Sequence, residues 1–213
     1  GMHNWPNLRV GQFGVAPGPA MASANEFEIR ITGKGAHAAM PHLGVDPVFV
    51  AVQVVNGLQA IITRVKKPIE SAVLSVTMIH AGEATNVVPE TAFISGTVRT
   101  FSDAVTAQVE EHMRRIVQMT AAAYGAESHV DFKWNYPPTV NHPVEAEFAA
   151  TVMDDIVGRD DVVRGLEPTM GSEDFAFMLK VRPGAYVFIG NGDGSHRATG
   201  HGLGPCMLHN PSY

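Results

Sequence analysis

The chain of 213 residues has 17% charged and 45% hydrophobic residues, an ordinary globular composition that excludes wholesale disorder and collagen-like structure. Fifteen basic against twenty-one acidic residues leave a net charge of −6, so there is no general electrostatic reason to expect nucleic acid as a partner. No apolar run approaches the roughly 20 residues a membrane helix needs, and the single cysteine, Cys206, excludes an intrachain disulfide and fits a reducing compartment. The expectation is a cytoplasmic protein with neither nucleic acid nor membrane as partner.

Residues 1–21 hold three prolines and four glycines without clear periodicity, which predicts loop and linker. From Asn25 the pattern changes: Phe27, Ile29 and Ile31 alternate with polar residues, the mark of a half-buried strand that Gly33-Lys34-Gly35 ends. Asp46-Pro47 then opens a helix whose spacing predicts an apolar stripe of Val48, Val52, Val55, Leu58 and Ile62. A second strand is expected over 71–79, with Leu74, Val76 and Met78 on one face, and a third over 91–99, with Ala92, Ile94, Gly96 and Val98 on one face. Ser102-Asp103 caps a second helix carrying Val105, Val109, Met113 and Ile116; Tyr124-Gly125 closes it, and Val130, Phe132 and Trp134 alternate in a fourth strand.

The order β-α-β-β-α-β over 25–136 predicts a four-stranded antiparallel sheet with both helices on one face, the ferredoxin-like arrangement. After Pro137-Pro138 the reading is a helix from Pro143 to Ile156, another from Ser172 to about Leu179 with Ser172 as its cap, and a buried strand over 185–189. Glycine-rich segments follow, of the kind that line sites.

Four histidine contexts stand out: His3 in His3-Asn4-Trp5-Pro6, His37 in Gly35-Ala36-His37-Ala38, His201 between glycines, and His209 before Asn210-Pro211. None has the i,i+4 spacing of a local zinc motif, and on spacing alone each reads as a surface or hydrogen-bonded histidine more readily than as a ligand. Arg99, near the end of an otherwise apolar strand, needs an anion, which a substrate carboxylate or a neighbouring acidic side chain would supply. Asn86 precedes a strand, where a turn residue is equally expected, and Glu173-Asp174 suit a helix N-terminus. No phosphate-binding glycine motif occurs, and Cys206 has no activating base at a fixed spacing.

Taken together, the segments MHNWPNLRVGQFGVAPGP, ITGKGAHAAMPHLGVDP, SVTMIHAGEATNVVPE, GTVRTF, PTMGSEDFAFML and GHGLGPCMLHNPSY resemble the aminoacylase and carboxypeptidase family of two-metal peptidases. The resemblance is to its amidohydrolase branch, which includes hippurate hydrolase and the auxin-conjugate hydrolases. It implies a ferredoxin-like lid that mediates dimerisation (22–136), inserted into a partial α/β metallopeptidase catalytic domain made of 1–21 and 137–213. In the whole enzyme it implies two divalent metal ions, zinc or manganese. His3 and His209 match metal ligands, and His37 matches a catalytic lid histidine that steadies the oxyanion in the partner subunit's site. Asn86 and Arg99 match residues holding the substrate carboxylate, and Gly171 and Ser172 a backbone segment facing the substrate.

The implied substrates are N-acyl amino acids or short peptides, and the implied assembly is a homodimer through the lid. The family's Cys-Gly-His-Asp-Gly-His segment and Glu-Glu pair have no match in this sequence. The expectation is therefore a C-terminal fragment that is inactive alone and holds no metal, or one adventitious ion. The alternative is a non-catalytic dimerising or binding module that keeps the lid.

Overall fold

The computed structural model describes residues 1–6 and 8–192. In chain order they form β1 (Met2–Trp5), β2 (Phe13–Val15), β3 (Gly18–Met21), β4 (Ala24–Thr32), β5 (Ala36–His37), α1 (Pro47–Ala60), β6 (Ala72–Ala81), β7 (Val87–Val88), β8 (Thr91–Thr100), α2 (Asp103–Ala123), β9 (Glu127–Tyr136), β10 (Thr139–Asn141), α3 (Pro143–Val157), β11 (Val162–Arg164), α4 (Phe175–Val181) and β12 (Val187–Gly190). The chain divides into two compact units, one of Ser23–Pro137 and one of Gly1–Ala22 with the residues from Pro138 onward.

The first of these units, the lid, is a four-stranded antiparallel sheet in the order β6-β8-β4-β9. Alternation along β4 sends Phe27, Ile29 and Ile31 inward, where they are at most 1% exposed, and leaves Glu26, Glu28 and Arg30 on the open face. Both helices lie on the inward face and share one core with it: Val50, Val54, Leu58 and Ile61 from α1 and its continuation, and Val105, Val109, Met113 and Val117 from α2. The mixed α/β class and the ferredoxin-like order are thus as expected. Asp46 caps α1 by accepting from the backbone of Val48 and Phe49, and Ser102 caps α2 by accepting from Val105.

Three details of the lid differ from the sequence expectation. The buried stripe of α1 is Val50, Val54, Leu58 and Ile61 rather than one led by Val48 and Val52, which are 40% and 50% exposed. The helix is apolar nearly all round, so its periodicity fits more than one rotation. A bulge between Val76 and Met78 turns β6 over, so that Met78 pairs with Ser95 on the open face and Ile79 takes the inward register opposite Ile94. Finally, α1 runs on through a wider turn, Ile61–Val65, to end at Lys66 where the sequence places its stop, but Pro47–Val65 as a whole is long and apolar enough to cross a membrane by length and composition. That corrects the expectation that no such run exists; the inner side of this helix lies in the lid core.

The other unit carries a four-stranded sheet, β1-β12-β2-β11, mixed in direction, and a short β3-β10 ribbon. Residues 1–21 are therefore not plain linker. Their strands are three or four residues long and pair with residues more than a hundred positions away, which leaves no local periodicity to read. α3 covers β2 and β11 through Ala146, Ala150 and Met153. α4 begins at Phe175, not at Ser172, and no side chain caps it. The expected strand over 185–189 is Val187–Gly190.

Candidate functional site

At one end of the lid sheet, β5 and β7 form a two-residue ribbon in which His37 stands opposite Val87. The backbone N–H of Ala38 donates to the Asn86 carbonyl at 2.9 Å, so the ribbon brings His37 and Asn86 side by side. Both line an open cavity of about 420 Å³ whose walls include Val87, Val88, Pro89 and Glu90. His37 is exposed, and its Nδ1 accepts a hydrogen bond from the backbone N–H of Ala39 at 3.1 Å. A neutral imidazole that accepts at Nδ1 carries its proton on Nε2, which makes the outer edge of His37 a hydrogen-bond donor.

Arg99 is not part of this cluster. Arg99 is eight steps of extended strand from Thr91, at the cavity end of β8, which at strand rise is about 27 Å. Arg99 pairs with Val73 on β6, one residue from Val98, which pairs with Asn25 where the chain enters the lid. Asn86 and Arg99 of one lid therefore stand at opposite ends of the same sheet.

His3 lies on β1, paired with Phe188 of β12. Its Nδ1 stands 2.6 Å from the Asn4 carbonyl. A carbonyl only accepts, so Nδ1–H donates, and when the imidazole is neutral the lone pair falls on Nε2, the form a metal ligand requires. The tautomer is thus opposite to that of His37. The ring is set edge-on to Trp5, which packs on Phe188, which meets Tyr186 edge-on. Tyr186 is locked in turn: Asn141 accepts from its backbone N–H at 2.7 Å and donates to its carbonyl at 2.9 Å.

In the same unit, Gly171 and Ser172 precede Glu173 and Asp174, and the Gly171 N–H donates to the Thr169 hydroxyl at 3.3 Å. The Tyr186 hydroxyl donates to the Glu173 carboxylate at 2.7 Å. Burial pushes the Glu173 carboxyl up, but hydrogen bonds from Tyr186, Asp174 and the Phe175 backbone, with the nearby charge of His3, outweigh it and hold it below its ordinary value. Its hydrogen bond and charge push the Asp174 carboxyl up. Burial, then the hydrogen bond to Glu173, pushes the Tyr186 phenol well above its usual range.

Glu173 and Tyr186 were not legible as a pair. The sequence offered a helix-dipole role for the first and an apolar strand for the second; only a tyrosine among Ala185, Val187, Phe188 and Ile189 hints that a polar tip needs a partner.

As a metal site, the described residues contribute one histidine in ligand-ready form, and among them no group of three His, Cys, Asp or Glu side chains could hold an ion. His209, the other expected ligand, lies outside the described residues.

Comparison with known proteins fits this layout. Residues 22–127 match the peptidase dimerisation domain of the M20 family. The chain is 42% identical over 191 residues to an N-acetylcysteine deacetylase of Bacillus subtilis, covering 89% of this chain and 49% of that protein. The chain belongs to the M20 peptidase family. It is also 35% identical to thermostable carboxypeptidase 1 of Saccharolobus solfataricus, over 89% of this chain and 48% of the relative. A Bacillus subtilis structure described as a dinuclear metal binding M20 peptidase superposes with a TM-score of 0.73 at 36% identity, over 89% of this chain and 47% of that one. The chain thus spans about half the length of the M20 proteins it matches.

Proposed function

We propose that this chain is the lid and part of the catalytic domain of an M20 amidohydrolase that cleaves the amide bond of N-acyl amino acids or short peptides. The single observation that carries the reading is the opposite backbone contacts of the two histidines at Nδ1, which in the neutral imidazoles leave Nε2 of His3 a lone-pair donor and Nε2 of His37 a proton donor. A metal-ligating histidine needs the first form, and a histidine that stabilises an oxyanion needs the second. The relatives' activities on N-acetylcysteine and as carboxypeptidases point to the same substrate class.

His3 would hold one of two divalent ions, zinc or manganese, with His209; bound there, the ions would supply an activated water and polarise the carbonyl. His37 would donate Nε2–H to the oxyanion, Gly171 and Ser172 would face the substrate backbone, and Asn86 and Arg99 would hold its carboxylate. The family's Cys-Gly-His-Asp-Gly-His segment and Glu-Glu pair have no match in the sequence, so the 213-residue chain alone would turn nothing over. A reducing cytoplasm suits its one cysteine.

We place the homodimer contact on the lid. The outer side of α1 leaves Val48, Phe49 and Val52 at 40–50% exposure, and β6 is an edge strand with Met78 and Ile79 about half exposed beside it. An apolar face next to an open sheet edge suits a second copy of the same lid.

The test joins this chain to the half of the Bacillus subtilis deacetylase that it does not match, as one polypeptide, and assays N-acetyl amino acids and hippurate. Metal-dependent turnover is expected, absent from the 213-residue chain alone. His37→Ala should lower kcat by about 10²–10³ with metal content unchanged. Turnover by the chain alone, or a His37→Ala variant of full activity, would refute the reading.

A further inference from the structure

On the open face of the lid sheet, one residue of each strand falls in a single cross-strand row. His80 of β6 stands opposite Phe93 of β8, Phe93 opposite Arg30 of β4, and Arg30 opposite His129 of β9. At the usual spacing of strands the row spans about 14 Å. All four residues are exposed, so none of them is there to fill the core.

The charges of this row are used differently from those beside it. Lys133 stands 3.2 Å from Glu28 and 3.4 Å from Asp131, so the nearest carboxylates on β4 and β9 are already paired. Among the described residues Arg30 has neither a hydrogen bond nor an ion pair; its guanidinium lies over the Phe93 ring, 5.5 Å from the centroid. A guanidinium on a ring face keeps its N–H fork free at the edge. Phe93 is also a wall of a cavity of about 490 Å³, lined with it by Ile79, His80, Thr91 and Glu83. That is the size of a small-molecule site. The cavity shares no lining residue with the one that holds His37 and Asn86.

We propose that this face of the lid binds a small molecule carrying a flat ring and a carboxylate. The ring would lie in the cavity against Phe93, and the carboxylate would take the fork of Arg30 with His80 beside it. Charge selects the anion, because the guanidinium is unpaired and flanked by two imidazoles while the nearest carboxylates are neutralised. One guanidinium balances one charge, which a carboxylate carries and a phosphate monoester exceeds. Glu83, the one acidic side chain of the lining, suits a hydroxyl or amino donor on the same molecule. The site lies wholly within the lid, so it needs neither a metal nor the other unit and stands or falls apart from the amidohydrolase reading.

The test titrates the 213-residue chain with 1-naphthoate, followed by the probe's fluorescence and by the NMR ring signals of His80, Phe93 and His37. One-to-one binding is expected, with His80 and Phe93 shifted and His37 unmoved. Arg30→Gln should weaken it about tenfold and Phe93→Leu severalfold, whereas Glu83→Gln should not weaken it. 1-Naphthalenemethanol, the ring without the charge, and acetate, the charge without the ring, should each bind about tenfold less tightly or worse. Far-UV circular dichroism checks the fold of each variant, and Arg30→Gln with the probe series carries the test if Phe93→Leu does not fold.

Binding no tighter than that of acetate, binding indifferent to Arg30→Gln, or shifts centred on His37 overturns the proposal. So does tighter binding of 1-naphthylmethylamine that Glu83→Gln abolishes, since the occupant would then be a cation.

Discussion

Leu58 and Val52 stand six residues apart on α1 and test which way the helix faces. Leu58 is fully buried against the lid sheet and α2, and Val52 is 50% exposed. Leu58→Ala removes buried carbon and leaves a cavity in a packed core, which costs about 2–5 kcal/mol. For a domain of this size that lowers Tm by roughly 10 °C or more. Val52→Asp removes no core contact, so the monomer should lose no more than about 0.5 kcal/mol. It does place a charge on the surface assigned to the second copy, where an unpaired buried carboxylate is costly.

Urea unfolding and light scattering over micromolar to submillimolar concentrations separate the two effects. Leu58→Ala should shift the unfolding midpoint, and Val52→Asp should give a folded monomer whose unfolding no longer depends on concentration. If Val52→Asp unfolds the lid as strongly as Leu58→Ala, the helix faces the other way. If it folds and still dimerises as tightly as the unaltered chain, the dimer does not use α1.

Two further outcomes follow from packing and charge. A Cβ on Gly96 would stand 2.0 Å from the Ser75 carbonyl oxygen and 2.6 Å from the Phe27 ring, so Gly96→Ala should destabilise the lid by about 1–3 kcal/mol in urea titrations, with no change if β6 and β8 can part freely. The Tyr186 phenol has a raised folded pKa, so the stability it confers is whole below the ordinary tyrosine value and lost as pH rises through the folded one. Absorbance at 295 nm should therefore show no Tyr186 phenolate at about pH 11 in the folded chain, and Tyr186→Phe should remove only a component that appears on alkaline unfolding.

The lid was legible because its strands alternate and its core is a single layer: period-two spacing alone puts Phe27, Ile29, Ile31, Ala92, Ile94 and Val98 on the face that is buried. Where the same method failed, the local signal was degenerate or absent. α1 has apolar residues at Val48, Phe49, Val50, Ala51, Val52, Val54 and Val55, so more than one stripe satisfies the period, and only the neighbours choose. The bulge at Thr77 reverses Met78 without any glycine or proline to announce it. β1 and β12 pair across more than 180 residues, a contact no window can see. Ser172 suits a cap by residue type, but the helix starts three residues later, at Phe175, and Asp174 stands at its N-cap. The two tautomers could not be read from sequence at all, since each depends on a backbone group one or two residues along the chain.

The separation of Asn86 and Arg99 has a consequence for the site. About 27 Å of strand lies between Thr91 and Arg99, whereas a carboxylate bound by both side chains spans only a few ångströms. If both act on one substrate, they come from two chains. Arg99 sits at the end where its own chain enters and leaves the lid, and Asn86 sits with His37 at the far end, so Asn86 and His37 are the pair that would be donated across the dimer. In the joined polypeptide described above, Asn86→Ala and Arg99→Ala should each cripple both sites of their own homodimer. In a mixed dimer the two lesions fall in the same site, and the other site has both side chains intact. Equal amounts of the two variants, allowed to exchange, should therefore recover about a quarter of full activity, since half the dimers are mixed and each has one good site of two. A mixture no better than the average of its parents would mean that the two residues do not meet at one carboxylate, and Arg99 would then be left with a role inside its own sheet.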